Sequence, residues 1–492
     1  MRIRATLLAG VLGVPLFAGA ALAADTGKIS LANAAKQGDR EAVRSLLNGA
    51  AKKDIAGAEG TAALIAAATR NDLEMIDLLL AAGADPKAAN EYSATPLYAA
   101  AGNADPAVAL KLLKAGADPN VALFSGETPV MRAARQGGVA TVRALLEAGA
   151  DPSAKEKNGG QTALMWAISE NHSAVTAELV KHNADVNARS RTGFTALMFA
   201  ARGDLESTRI LLDAGAKPNE SIPDWGGTAL IIASTMGQTD IVEALVNKGA
   251  DPNQRDKNSF TALHSAVRDS DYGEDMAQRA HAVATVKVLL AHGADVNARL
   301  NQEKPTVKGL DELELQGATP LALAAEVNNL DAIKALVAGG ADPTIPTEKG
   351  STPLMLAAGA ATDVQRARSI DERALAVETA RYLVEHGVDV NAVGQFGWTA
   401  LHNAAYQGLN DVIEYLASKG AKLDAKDGFG QTPLSIAMSV LTKEAGANRL
   451  QIPRRYRGDT TATLLKLGAT PLNKSGLNIV LQRSGDLAAE QQ

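Results

Sequence analysis

The sequence has no cysteine, few aromatic residues and, beyond its first residues, no long apolar run. Without cysteine there are no disulfides, no thiolate metal ligands and no lipid-modified N-terminal cysteine. Aromatics make up 3% and glycine 44 of 492 residues, so a core has to be built from Ala, Leu, Val and Ile. Small side chains of this kind let helices approach to roughly 8–10 Å. A net charge of −6 and an isoelectric point near 5.8 give no general attraction to nucleic acid, whose binders show a strongly basic face. No Gly-x-Ser-x-Gly, phosphate loop or His-Glu-x-x-His is present, so the familiar hydrolase, nucleotide and zinc signatures are missing.

The one apolar stretch lies at the start. Arg2 and Arg4 precede Leu7 to Leu22, a run of apolar and small residues, and Ala21-Leu22-Ala23 forms an A-x-A cleavage site. Residues 1–23 are therefore expected to be a secretory signal peptide, cut between Ala23 and Ala24, and the protein is expected to be exported, to the periplasm or beyond the cell. Isolated by Ile3, the two arginines do not form a twin-arginine signal. Elsewhere nothing approaches the ~18 consecutive apolar residues of a membrane span, so no span is expected after signal removal.

What fills the rest is a period. Thr95, Thr128, Thr162, Thr195, Thr228 and Thr261 recur every 33 or 34 residues, each followed by Pro or Ala, an apolar residue and a pair of small residues. A second phrase, Gly-Ala-Asp, stands at Gly83, Gly116, Gly149 and Gly249. Self-similarity at this spacing specifies a solenoid rather than one closed globule. Within Gly126 to Asn158, Thr128 caps a short helix whose first turn accepts Pro129, and Val130, Ala133 and Ala134 mark its buried side. Gly137 and Gly138 break it; Val142, Leu145 and Leu146 then give the i, i+3, i+4 pattern of a second helix, ended by Gly149. The Gly-, Asn- and Asp-rich stretch that follows reads as a turn or two-stranded finger.

This pattern resembles the ankyrin repeat, carried by Ala-Thr-Pro-Leu-Tyr-Ala-Ala at Ala94–Ala100, Phe-Thr-Ala-Leu-His-Ser-Ala at Phe260–Ala266 and Trp-Thr-Ala-Leu-His-Asn-Ala-Ala at Trp398–Ala405. The resemblance covers nearly all of Ile29 to Leu472 and implies an all-α solenoid of about twelve helix-turn-helix units with short β-like fingers. Departures include Ala for Pro at Ala163, Ala196, Ala229, Ala262 and Ala400, Asn183 in place of the capping Gly, and a unit one residue short at Gly203-Asp204. Residues 24–57 are expected to be an N-terminal cap showing only the second phrase, 58–300 repeats, 301–316 a finger insert, 317–472 further repeats with inserts and a C-terminal cap, and 473–492 a flexible tail.

Thr319, Thr352, Thr399 and Thr432 continue the count, with extra residues between first and second helices at about Asp269–Arg279, Ala360–Arg373 and Thr442–Gly458. Arg366, Arg368 and Arg373 make one insert basic, and Arg449, Arg454, Arg455 and Arg457 another, while Asp269, Asp271, Glu274 and Asp275 make the first acidic. These loops either pair with one another or bind an anionic partner, since the planar guanidinium matches carboxylates and phosphates. The histidines do not gather into a ligand set. The resemblance gives His264 and His402 a bridging role between backbone groups, His182, His292 and His386 precede the residue that ends a second helix, and His281 stands alone. No metal or cofactor is expected.

Large side chains cluster before the repeat threonines. In the resembled fold, Phe194, Trp225, Phe260 and Trp398 lie along a concave groove, and Arg135, Gln136, Arg202, Met236, Tyr406 and Gln407 occupy its other variable position, after the small-residue pair. Exposed aromatics in such a place anchor protein interfaces, although packing of finger on finger would also use them. The expectation is a monomeric, non-enzymatic scaffold holding a protein partner in that groove. The alternative is an exported enzyme or small-ligand receptor whose site is formed by the C-terminal insert loops.

Overall fold

A computed structural model describes residues 30–49, 55–268, 276–300, 315–359, 370–439, 441–442, 457–472 and 477–478. The leader with Ala23 and Ala24 lies outside the described residues, as do Arg366, Arg368, Arg449, Arg454 and Arg455 and the acidic insert. Two compact units divide between Asp224 and Trp225.

Six helix pairs are described in the first unit: Leu31–Gln37 with Arg40–Gly49, Ala58–Thr69 with Leu73–Ala81, Pro96–Ala100 with Ala107–Lys114, Pro129–Arg135 with Val139–Glu147, Ala163–Ser169 with Ser173–Lys181, and Ala196–Ala200 with Leu205–Asp213. Another six are described in the second: Ala229–Thr235 with Thr239–Asn247, Ala262–Val267 with Met276–Ala291, Pro320–Glu326 with Leu330–Ala338, Pro353–Ala357 with Ile370–Glu385, Ala400–Gln407 with Asn410–Ser418, and Pro433–Ala437 with Gly458–Lys466. Within each unit first helices pack on first helices and second on second, the all-helical solenoid the period specifies.

Every part of the repeated phrase has a local physical task. The threonine hydroxyl accepts the backbone N–H three residues on, at 3.1 Å from Thr95 to Tyr98 and 3.2 Å from Thr228 to Ile231, closing an otherwise unpaired donor in the first turn. The apolar residue two places after it is the core: Leu97, Val130, Leu164, Leu197, Leu230, Leu263, Leu321, Leu354, Leu401 and Leu434 are all buried. Gly149, at φ 90°, ends its helix with Ala150 N–H donating to the Leu145 carbonyl at 3.0 Å. Asn183 keeps the same closure at φ 62°, with Ala184 N–H to the Leu179 carbonyl at 3.0 Å, as its small polar side chain permits. The following aspartate then turns the chain, its carboxylate accepting the N–H two residues later, as from Asp251 to Asn253 at 2.8 Å.

That next residue links neighbouring repeats. Asn120 donates to the Gly149 carbonyl at 2.9 Å and accepts Asp151 N–H at 2.8 Å; Asn187, Asn253 and Asn391 make the same pair of bonds with the repeats that follow them. The described fingers are tight turns closed by backbone bonds, such as Ser190 N–H to the Phe194 carbonyl at 2.8 Å and Gly193 N–H to the Ser190 carbonyl at 3.0 Å, with an isolated antiparallel bridge between Arg189 and Thr195. One more bond joins finger to finger, as from Arg191 N–H to the Gly159 carbonyl at 2.7 Å. On the second helices Arg143 grips Glu178 with two hydrogen bonds of 2.9 and 3.0 Å, which pulls that carboxyl down to about 2.

Three expectations are corrected. The first repeat contains both helices, because Ser30 replaces the usual threonine and caps Leu31–Gln37 through Asn33 N–H. The inserts end earlier than the loop reading gave: the second helices begin at Met276 and Ile370 and run for 16 residues each, so Arg373 is a helical, exposed residue. The segment is rich in Ala, Leu, Glu and Arg, and Ala376, Ala380 and Leu383 keep an apolar stripe buried along it. Gly458 opens a helix, and Arg457 is its flanking residue rather than a loop residue. In the tail, Leu477–Asn478 pairs antiparallel with Leu441–Thr442, which satisfies backbone groups on both segments.

Candidate protein-binding face

A repeat buries its threonine and the apolar residue two places on, but the residues before that threonine and the fourth, seventh and eighth after it vary widely within this one chain. In the first unit the fourth position carries Arg132, Trp166 and Phe199, all half-exposed. The guanidinium of Arg132 lies 4.8 Å from the centre of the Tyr98 ring. Tyr98 itself is buried; burial, and then the nearby Glu127 charge, raise its phenol above the ordinary value. Arg135, on the same helix, lies 5.5 Å from the centre of the Trp166 ring of the following repeat, with its Nε 3.8 Å from Glu170 Oε1. The Trp166 indole N–H has no acceptor. Gln136 and Arg202 are exposed beside this row. Phe194 is half-exposed with its ring 5.7 Å from that of Phe199. Aromatic and guanidinium planes thus alternate over one helix face of the first unit.

The second unit is arranged differently. Its fourth-position row is half-exposed at Ile232 and buried at Leu323, Leu356 and Ile436. Met236 is 40% exposed at the end of its helix. Trp225 lies across Gly227, where a Cβ would collide with the indole. Phe260 packs edge-on to His264 at 5.9 Å and beneath Arg268 at 5.3 Å. Trp398 stacks on His402 at 6.1 Å, meets Tyr406 edge-on at 5.7 Å, and donates its indole N–H to Asp427 at 3.0 Å. Gln407 reaches back to the Gly359 carbonyl at 3.1 Å. Phe260, Trp398 and Gln407 are therefore tied into neighbouring elements, Trp225 to its own finger and Arg135 to Trp166 and Glu170, while Gln136, Arg202 and Met236 are exposed. The Arg457 side chain covers Gly408, and its backbone N–H donates to the Ala437 carbonyl at 3.0 Å.

Histidine chemistry is confined to structural bonds. His264 and His402 sit fully buried, Nδ1 against Thr261 and Thr399, and Nε2 on the carbonyls of Ala318 and Gln431 at 3.4 and 3.2 Å. Burial drives His264 down to about 3 and lowers His402 in the same sense. His172 bonds to the Arg135 carbonyl at 3.2 Å, and His386 stacks on Tyr382 at 3.9 Å. Among the described residues no group of His, Asp and Glu is arranged to hold a metal ion, and no helix is long and apolar enough to cross a membrane.

Tyr98, Arg132, Trp166, Phe199, Arg268 and Glu326 were not singled out by the sequence reading. The signal was present: large or charged residues at positions held by Ala99, Gly102 or Leu323 in sister repeats.

A family model described as ankyrin repeats (3 copies) matches residues 31–123, 130–222, 219–300, 275–366 and 373–445, and a single-repeat model matches 349–395. A putative ankyrin repeat protein of fowlpox virus is 33% identical over 177 residues, 35% of this chain and 46% of that protein. Human ankyrin repeat and SOCS box protein 16 is 27% identical over 241 residues, 49% of this chain and 46% of that protein. Mouse neurogenic locus notch homolog protein 1 is 31% identical over 198 residues, 35% of this chain and 8% of that protein. The chain thus spans less than half the length of these relatives.

Proposed function

The chain belongs to the ankyrin-repeat family, and from that membership we propose that it is a non-enzymatic scaffold, exported to the periplasm or beyond the cell, that holds a protein partner on its first-helix and finger face. Ankyrin repeats are in general protein-interaction modules. One observation carries the reading: half-exposed Trp166 lies under the Arg135 guanidinium, at positions where the fold itself asks for nothing so large. Tryptophan and arginine stacked in this way are the residue types that dominate protein interfaces. Export is supported by the charge, apolar run and A-x-A site of residues 1–23.

The test is retention of proteins from the exported fraction on the immobilised wild type and on Trp166→Ala. Truncating an anchor of this type costs at least ~2 kcal/mol of binding, roughly 30-fold in affinity. The expected result is a partner held by the wild type and lost from the variant, with the helical circular dichroism spectrum unchanged. No protein held in preference to the variant would refute the proposal.

A further inference from the structure

Glu326 ends the helix Pro320–Glu326 at the seventh position after its threonine. Protein atoms around its carboxyl strip away water, and that desolvation raises it above the ordinary carboxylate value, with only the charge of Arg268 opposing. Arg268 does not pair with it; its guanidinium lies over the Phe260 ring. Among the described residues the Glu326 carboxylate makes no hydrogen bond or ion pair. Two residues on, Asn328 is 6% exposed, closes the helix at φ 52° and donates from Nδ2 to the Ala357 carbonyl at 3.3 Å. Its Oδ1 is buried and has no donor. At the ninth position after its threonine the Thr162 repeat leaves Asn171 exposed, whereas Asn328 is buried.

The next first helix, Pro353–Ala357, packs against Pro320–Glu326, and its seventh position is Gly359, which contributes no side chain where other repeats place Arg135, Arg202 or Tyr406. A carboxylate and an amide oxygen, both short of donors, therefore stand in one turn next to a place in the row without a side chain. Leaving a buried acceptor such as Asn328 Oδ1 unpaired is costly, and a group that supplied several donors and a positive charge would satisfy it and pair with the half-exposed Glu326 carboxylate beside it. We infer that this turn is a receptor for an arginine side chain of the partner protein, the guanidinium donating to the Glu326 carboxylate and to Asn328 Oδ1. Arginine suits the task because it presents five N–H donors in a planar fork, whereas neutral side chains lack the charge and lysine the geometry.

This inference rests on the protein-binding reading above, and its test separates the two. With Glu side chains carrying 13C at the carboxyl, the Glu326 signal is followed by NMR during addition of N-acetylarginine amide and of its neutral isostere N-acetylcitrulline amide. The expected result is a saturable shift of Glu326 with the arginine compound alone, abolished in Glu326→Gln and kept, though weaker, in Glu326→Asp. An equal response to both compounds, or none to arginine, overturns the inference. For a partner retained by the wild type, Glu326→Gln is expected to weaken binding at least about thirtyfold, because a charge pair desolvated by the bound partner is broken. A partner held equally well by Glu326→Gln and lost from Trp166→Ala overturns the arginine receptor and leaves the scaffold reading intact.

Discussion

Acidification is expected to loosen the second unit through its buried histidines. The His264 ring accepts the Thr261 N–H at Nδ1, 3.3 Å away, and donates from Nε2 to the Ala318 carbonyl of the next repeat, 3.4 Å away. A proton added at Nδ1 would face that N–H donor in a site closed to water, which is why burial holds the group down at about 3 rather than 6.5. Above pH 6.5 the ring is neutral both folded and unfolded, and its contribution is complete. Below 6.5 the unfolded chain takes up a proton that the folded chain refuses until about pH 3, so stability falls across that window. At about pH 5 the loss from His264 is ~2 kcal/mol, from 1.5 pH units at ~1.4 kcal/mol each. His402 acts in the same direction. Ordinary carboxylates stay largely ionised at that pH, which isolates the histidines.

The chain supplies its own control. Met131 and Met198 occupy the same position in their repeats, their sulfurs accepting the Thr128 and Thr195 N–H groups at 3.5 and 3.4 Å. His264→Met therefore keeps the cap while removing the titrating ring. Repeat arrays unravel locally, so hydrogen exchange of the helices Ala262–Val267 and Pro320–Glu326 is a sharper probe than one global melt. Between about pH 7.5 and 5, wild-type protection should fall by ~2 kcal/mol more than that of His264→Met. Equal losses in the two proteins would refute the argument.

Three further outcomes follow from contacts already described. Asn253→Ala removes the bonds to the Gly293 carbonyl and Asp295 N–H, 2.9 and 2.7 Å, and should cost about 1 kcal/mol in urea unfolding, since both groups are exposed to water. Trp398→Ala loses the bond to Asp427 and the packing on His402 and Tyr406, so circular dichroism melts should show about 1–3 kcal/mol of destabilisation, unlike Trp166→Ala. Leu12→Arg places a charge in the leader, which costs about 2.5–3.5 kcal/mol at the centre of an inserting helix, and should stall export. N-terminal sequencing of the exported wild type should begin at Ala24; an exported chain still carrying Met1 would count against a cleaved leader.

Much of this fold is legible because a few backbone demands recur from repeat to repeat. Most first helices start at a side-chain acceptor for an early N–H, and most left-handed closures fall on Gly or Asn, so Thr128, Gly149 and Asn183 announce themselves. Other features depend on partners far along the chain. The Trp398 bond to Asp427 spans 29 residues, and before that contact is known an aromatic ahead of a threonine reads equally as anchor or strut. Likewise the 16-residue helices from Met276 and Ile370 begin where the inserts break the repeat register, leaving no sister sequence to compare. Ser30 caps the first helix without the Thr-Pro phrase, so that helix carried no recognisable word.

Variation inside a single chain is itself a physical measurement of what each position must do. The residue two places after the threonine is Leu in nearly every described repeat from Thr95 on, Val130 being the exception, and always buried, because it fills the space between stacked first helices. The seventh position admits Arg135, Arg202, Arg268, Glu326, Gly359 and Tyr406, which no shared packing requirement accommodates. Where the fold imposes nothing, the stacked Arg135 and Trp166 of the first unit cost side-chain entropy without completing a core. In the second unit Glu326 goes further, since its half-exposed carboxylate is desolvated and, among the described residues, has no donor. Replacing it with Gln should leave the folded protein at least as stable while removing the charge. A desolvated carboxylate without a donor is a place where binding would relieve a cost, which makes this position, rather than the better-paired Trp398, the sharper place to look for the partner's chemistry.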